Sequence, residues 1–80
     1  MHEYLVLYRI GHSVRGDATD FSTLVNAYTA EDAAYQAMID PKRRAAVNPG
    51  SYAYLLAVSP FKDGMRVDVD GRQFYQFCRE

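Results

Sequence analysis

A chain of 80 residues, 49% of them hydrophobic, makes one domain with a single core and a shallow groove, and excludes a deep substrate cavity. Nine basic side chains against ten acidic ones leave a net charge of −1. That lacks the positive excess of a general nucleic-acid binder and the negative excess of a DNA mimic acting by bulk charge.

The first apolar stretch, Glu3–Ile10, reads as a strand. Tyr4, Val6, Tyr8 and Ile10 share one face, and Leu5, Leu7 and Arg9 the other, so both faces need cover. Gly11–Asp20 follows as a loop, because two glycines and a cluster of Ser, Thr and Asp break every periodicity. Its Arg15-Gly16-Asp17 triplet matches an integrin-recognition motif, which without a secretion signal reads as a chance match. Phe21–Tyr28 is a second strand, with Phe21, Thr23, Val25 and Ala27 opposed to Ser22, Leu24, Asn26 and Tyr28. Its mixed polarity suits a half-exposed edge.

Thr29 opens a helix over Thr29–Asp40. The Thr hydroxyl can accept an orphan amide, and Glu31 and Asp32 complement the positive end of the helix dipole. Ala30, Ala33, Ala34, Ala37 and Met38 form the stripe of a helix laid on a sheet. The small alanines call for large sheet residues beneath them. Asp40-Pro41 ends the helix and starts a short second turn, Pro41–Val47, which carries the basic run Lys42, Arg43 and Arg44.

Asn48-Pro49-Gly50-Ser51 is a turn before Tyr52–Val58, a strand apolar on both faces and expected at the centre of the sheet. Tyr52, Tyr54, Leu56 and Val58 share one side of it. Met65–Val69 and Arg72–Cys78 flank Asp70-Gly71, the signal of a type I′ hairpin. A two-residue loop sets Asp68 opposite Gln73, Val67 opposite Phe74 and Arg66 opposite Tyr75. The expected fold is therefore α+β: a five-stranded antiparallel sheet, order 2-1-3-4-5, with one helix packed on one face.

Catalytic and cofactor chemistry find no support in these residues. His2 and His12 have no Cys or carboxylate at ligand spacing, so no metal site is expected. His12, Ser13, Asp17 and Asp20 share a loop too long to hold a nucleophile, base and orienter together. Cys78 is the single cysteine, which excludes an internal disulfide and fits a reducing compartment. Its thiol has no activating neighbour, and no Gly-rich phosphate loop is present. With no run near the ~20 apolar residues of a membrane span, the expected setting is the cytoplasm. What stands out is tyrosine, seven of the eleven aromatic residues, a side chain suited to interfaces. Tyr8, Arg9, Arg66, Arg72 and Tyr75 are the first candidates for a partner-binding surface. Lys42, Arg43 and Arg44 are the second, and Asp17, Asp20, Asp68 and Asp70 the reserve. Phe74, Tyr75 and Phe77 make the last strand an apolar edge, through which a homodimer is expected.

The run Val25-Asn26-Ala27-Tyr28-Thr29-Ala30-Glu31-Asp32-Ala33 leading into an alanine-bearing helix, and Asp70-Gly71-Arg72-Gln73-Phe74 closing the hairpin, give a whole-chain pattern that resembles small phage-encoded type I anti-CRISPR proteins. The resemblance implies a non-enzymatic, stoichiometric inhibitor that binds a subunit of a CRISPR surveillance complex and blocks target DNA. No family residue transfers position by position. The pattern also resembles a small sheet-and-helix domain of large-subunit ribosomal proteins, but those are basic. A nucleic-acid-binding sheet module is the alternative reading, and a small enzyme or ligand-binding subunit completed by oligomerisation the third.

Overall fold

Strand β1 (His2–His12) is the centre of a three-stranded antiparallel sheet, with β2 (Ala18–Ala27) on one side and β3 (Ser51–Pro60) on the other. The computed structural model describes residues 1–69 and 72–76, with the backbone alone for 67–69 and 72–76. The apolar residues on both sides of β1 fit this position: Tyr4, Leu5, Val6 and Leu7 are all buried. On one face Tyr4, Val6 and Ala27 meet Ala33 of the helix, joined by Val25, Val58, Ala30 and Ala37. On the other face Leu5 and Leu7 are covered by Leu56, Ala57, Phe61 and Met65.

The five-stranded sheet is corrected at β3. Among the described residues β4 (Arg66–Val69) and β5 (Arg72–Gln76) pair with each other and with no other strand, so the order is β2-β1-β3 and a separate two-stranded hairpin. β3, expected at the centre, is an edge, and its Tyr54 and Leu55 are exposed. The reason lies in the link that follows it. The Phe61 N–H donates to the Glu3 carbonyl at 2.9 Å, and a turn closes from the Met65 N–H to the Lys62 carbonyl at 3.1 Å. Phe61 and Met65 then pack over Leu5 and Leu7, so the link covers the second face of the sheet instead of returning a strand along the β3 edge.

Periodicity also breaks inside β3. Leu7 pairs with Ala57 but Tyr8 with Leu55, so Leu56 is the extra residue of a bulge. Leu56 and Ala57 therefore both reach the Leu5/Leu7 face, and Val58 turns to the helix, away from Tyr52 and Tyr54. The hairpin slips in the same way. Val69 opposes Arg72 and Asp68 opposes Gln73, but Val67 then opposes Tyr75 and Arg66 opposes Gln76. The Asp70-Gly71 turn type, and the side chains of Phe74, Tyr75, Phe77 and Cys78, lie outside the described residues.

The expected loop at Gly11–Asp20 shortens to five residues, 13–17, because Thr19 and Asp20 pair with Ile10 and Arg9. The His12 N–H donates to the Asp17 carbonyl at 2.9 Å and the Gly16 N–H to the His12 carbonyl at 2.8 Å. Gly16 takes the positive φ of 76° that this turn needs.

The helix α1 (Ala30–Ala46) starts as expected: the Thr29 hydroxyl accepts the Asp32 N–H at 3.1 Å. It does not stop at Asp40. It runs through Pro41 as one helix, so the separate turn over Pro41–Val47 is corrected. Proline removes the N–H that would bond the Ala37 carbonyl. Pro41 is buried, and that apolar contact offsets part of the cost of the missing bond. Asn48 caps the far end, its side-chain amide donating to the Arg44 carbonyl at 3.1 Å. Among the described residues no helix is long and apolar enough to cross a membrane.

Candidate functional site

Side-chain alternation along β1 separates the first two candidates. Tyr8 turns toward the helix side and stacks on Phe21 of β2, ring centroids 5.5 Å apart and 18° from parallel. α1 lies closer over β3 than over β2. The uncovered strip between α1 and β2 is an open groove of about 580 Å³, whose walls include Tyr8, Ile10, Phe21, Thr23, Gln36 and Arg44.

Arg9 points to the opposite face. Its guanidinium grips Asp20 of β2 with two parallel bonds, Nε to Oδ1 at 2.6 Å and Nη2 to Oδ2 at 3.1 Å. Its remaining arm, Nη1, donates to the Tyr54 hydroxyl of β3 at 3.0 Å. The charge also lies 5.8 Å from the centre of the Tyr54 ring, and that ring stacks on Tyr52 at 5.7 Å. Register explains the row, since Arg9 is opposite Asp20 on one side and Tyr54 on the other. The hydrogen bond to Asp20, then that to Tyr54, raises the Arg9 pKa further above its ordinary range. The row therefore carries a fixed, partly exposed cation between a carboxylate and two aromatic rings. The bidentate fork gives it a defined geometry.

The basic trio does not form one patch. Lys42, Arg43 and Arg44 are consecutive on a helix, so they fan out by about 100° per residue. Lys42 borders an apolar cleft against β3, with Tyr35, Met38, Ile39 and Leu55. Arg43 points into solvent near Asp40, 3.7 Å away, and Arg44 walls the groove on the β2 side. Arg66 is exposed at the start of the hairpin. The side chains of Arg72, Tyr75, Asp68 and Asp70 lie outside the described residues.

The His12 loop is tied down more firmly than its composition suggested. The Nδ1 atom accepts the N–H groups of Val14 at 3.2 Å and Arg15 at 3.3 Å. That leaves Nε2 to carry the proton and donate to the Pro49 carbonyl at 2.9 Å. Ser13 donates to the Gly50 carbonyl at 3.1 Å, Asp17 lies 3.7 Å from Arg15, and Asp20 holds Arg9. His12 thus joins the 13–17 turn to the one before β3, and the four polar side chains face four different partners. Among the described residues no group of three or more His, Cys, Asp or Glu could hold a metal ion.

In the sequence Asp20 stands out as a loop acid and a reserve binding residue, and Tyr52 and Tyr54 only as strand residues. Their convergence on Arg9 depends on register, which a single strand does not display. No family model, no curated protein and no solved structure matches this chain.

Proposed function

We propose that this chain is a non-enzymatic protein-binding module, an inhibitor of the kind the anti-CRISPR resemblance implies, and that the row Asp20, Arg9, Tyr54 and Tyr52 is its contact surface. The observation that carries this reading is the three-strand fixation of Arg9. A guanidinium already held on both sides loses little further freedom when a partner docks. Tyr and Arg are also the residue types that dominate binding hot spots.

Nucleic-acid binding is less well served. The cations at Arg9, Arg15 and Arg43 each lie beside a carboxylate, and Lys42 and Arg44 stand on different flanks of α1. The test is binding of the purified chain to purified type I surveillance complexes, followed by target-DNA capture. The chain is expected to block DNA capture at one molecule per site. Tyr54→Ala should weaken binding about thirtyfold, the equivalent of a central hot spot worth ~2 kcal/mol. Arg9→Ala should weaken it in the same direction with the fold retained by circular dichroism. Failure to bind any such complex would sink the inhibitor reading. Unchanged affinity in both variants would sink the surface. Direct DNA or RNA binding that falls steeply with salt would move the assignment to a nucleic-acid module.

A further inference from the structure

We propose that two copies of this chain pair antiparallel through the free edge of β3, joining their sheets into one of six strands. Among the described residues the outer edge of β3 has no strand beside it. Sheet edges that stay monomeric are guarded by charged side chains, proline or bulges. β2, the other edge, carries Asp20, but the ten residues Ser51–Pro60 contain no charge at all. The two guards that β3 does have, the Leu56 bulge and Pro60, lie in its second half. Ser51–Leu55 keeps an unbroken register with β1 and presents an uncharged edge.

The helix adds apolar area beside that same edge. Tyr35 is 73% exposed and Ile39 39%, and with Leu55 and Met38 they line an open cleft of about 250 Å³ that Lys42 borders with the one charge there among the described residues. A two-fold axis at β3 brings edge to edge and flank to flank, an isologous contact in which the uncharged strand meets itself without repulsion. The exposed part of Tyr35 alone offers on the order of 160 Å² per copy, taking about 220 Å² for a whole tyrosine. With Ile39, Leu55 and the backbone of the strand edge, the two copies together bury on the order of 1,000 Å², below the size of a standard stable interface. An interface of that size belongs to the weak, transient class, so the pairing is expected as a concentration-dependent equilibrium between monomer and dimer. Pairing about Ala53 sets Tyr52 opposite Tyr54 of the second copy, on the face that bears Arg9. The dimer therefore extends the Arg/Tyr row across both copies, although the pairing does not depend on what that row binds.

Sedimentation equilibrium of the full chain from about 5 to about 500 µM spans the expected transition. Hydrogen exchange at both ends of that range locates the contact. A dimer is expected at high concentration, with added amide protection at Ser51–Leu55. Leu55→Lys should weaken it tenfold or more by removing an apolar contact and placing a charge on the shared edge that must lose its water. Tyr35→Glu, on the exposed helix flank, gives the same test without touching the sheet, should the first variant not fold. A monomer throughout would overturn the proposal. So would a dimer whose protection appears in residues 66–76, or one that both variants leave intact.

Discussion

Gly11→Ala tests how tightly the Arg/Tyr row is seated. A Cβ on Gly11 would lie 2.5 Å from Cζ of Tyr52 and 2.8 Å from the Asp17 carbonyl oxygen, both closer than real contacts allow. The Tyr52 ring can swing aside, at the expense of its stack on Tyr54. The Asp17 oxygen has less freedom, because it accepts the His12 N–H at 2.9 Å and closes the 13–17 turn. Overpacking of this kind costs ~1–3 kcal/mol, and a lost aromatic stack adds ~0.5–1.5 kcal/mol. A total of ~2–3 kcal/mol should lower Tm by roughly 10–20 °C in a domain of this size, a large share of its stability. Thermal and urea unfolding followed by circular dichroism measure both quantities. Adding Tyr52→Ala should recover only part of the loss, since the Asp17 contact remains. A Gly11→Ala protein within ~0.5 kcal/mol of the parent would refute the close approach. Full recovery by Tyr52→Ala would show that the turn yields freely.

Three further outcomes follow from the core and the helix. Leu7→Ala, at a side chain 1% exposed, should cost ~2–5 kcal/mol in urea unfolding, and near-neutrality would mean that Phe61 and Met65 do not cover that face. Thr29→Ala should cost ~1 kcal/mol by removing the acceptor of the Asp32 N–H, with a matching fall in Tm. Pro41→Ala sets two terms against each other. Helix propensity improves by ~3 kcal/mol and two buried methylenes worth ~1.6 kcal/mol are lost, so net stabilisation near 1 kcal/mol is expected, and a clear loss in urea unfolding would show that the contact of the proline ring dominates.

Much of the local structure was legible in the chain itself. The cap at Thr29, the alanine stripe of α1, the double-sided burial of β1 and the half-exposed character of β2 all depend on residues close in sequence. Helix period, strand alternation and capping chemistry act over a few residues, and a single chain displays them. The antiparallel α+β arrangement with β2 and β3 flanking β1 also follows from element order and strand polarity.

What only the tertiary structure decided was which strand became the edge, and who faces whom. β3 reads as apolar on both sides, as a central strand does, but its neighbour is set by where Phe61 and Met65 find apolar cover, on Leu5 and Leu7 across the second face. The bulge at Leu56 is equally silent in the sequence, because one extra residue changes no composition and yet sends Val58 to the helix. Pro41 signals a stop by local rules, and the helix runs through it with the ring buried, a contact that offsets part of the cost of the lost bond. Tyr8 and Arg9 share a stretch of sequence yet serve opposite faces, and Lys42, Arg43 and Arg44 diverge around one helix turn. Arg9, Asp20 and Tyr54 are up to 45 residues apart and meet because register places them in one row. Register is fixed by the burial of the whole sheet face, a property that no short stretch of this chain carries alone.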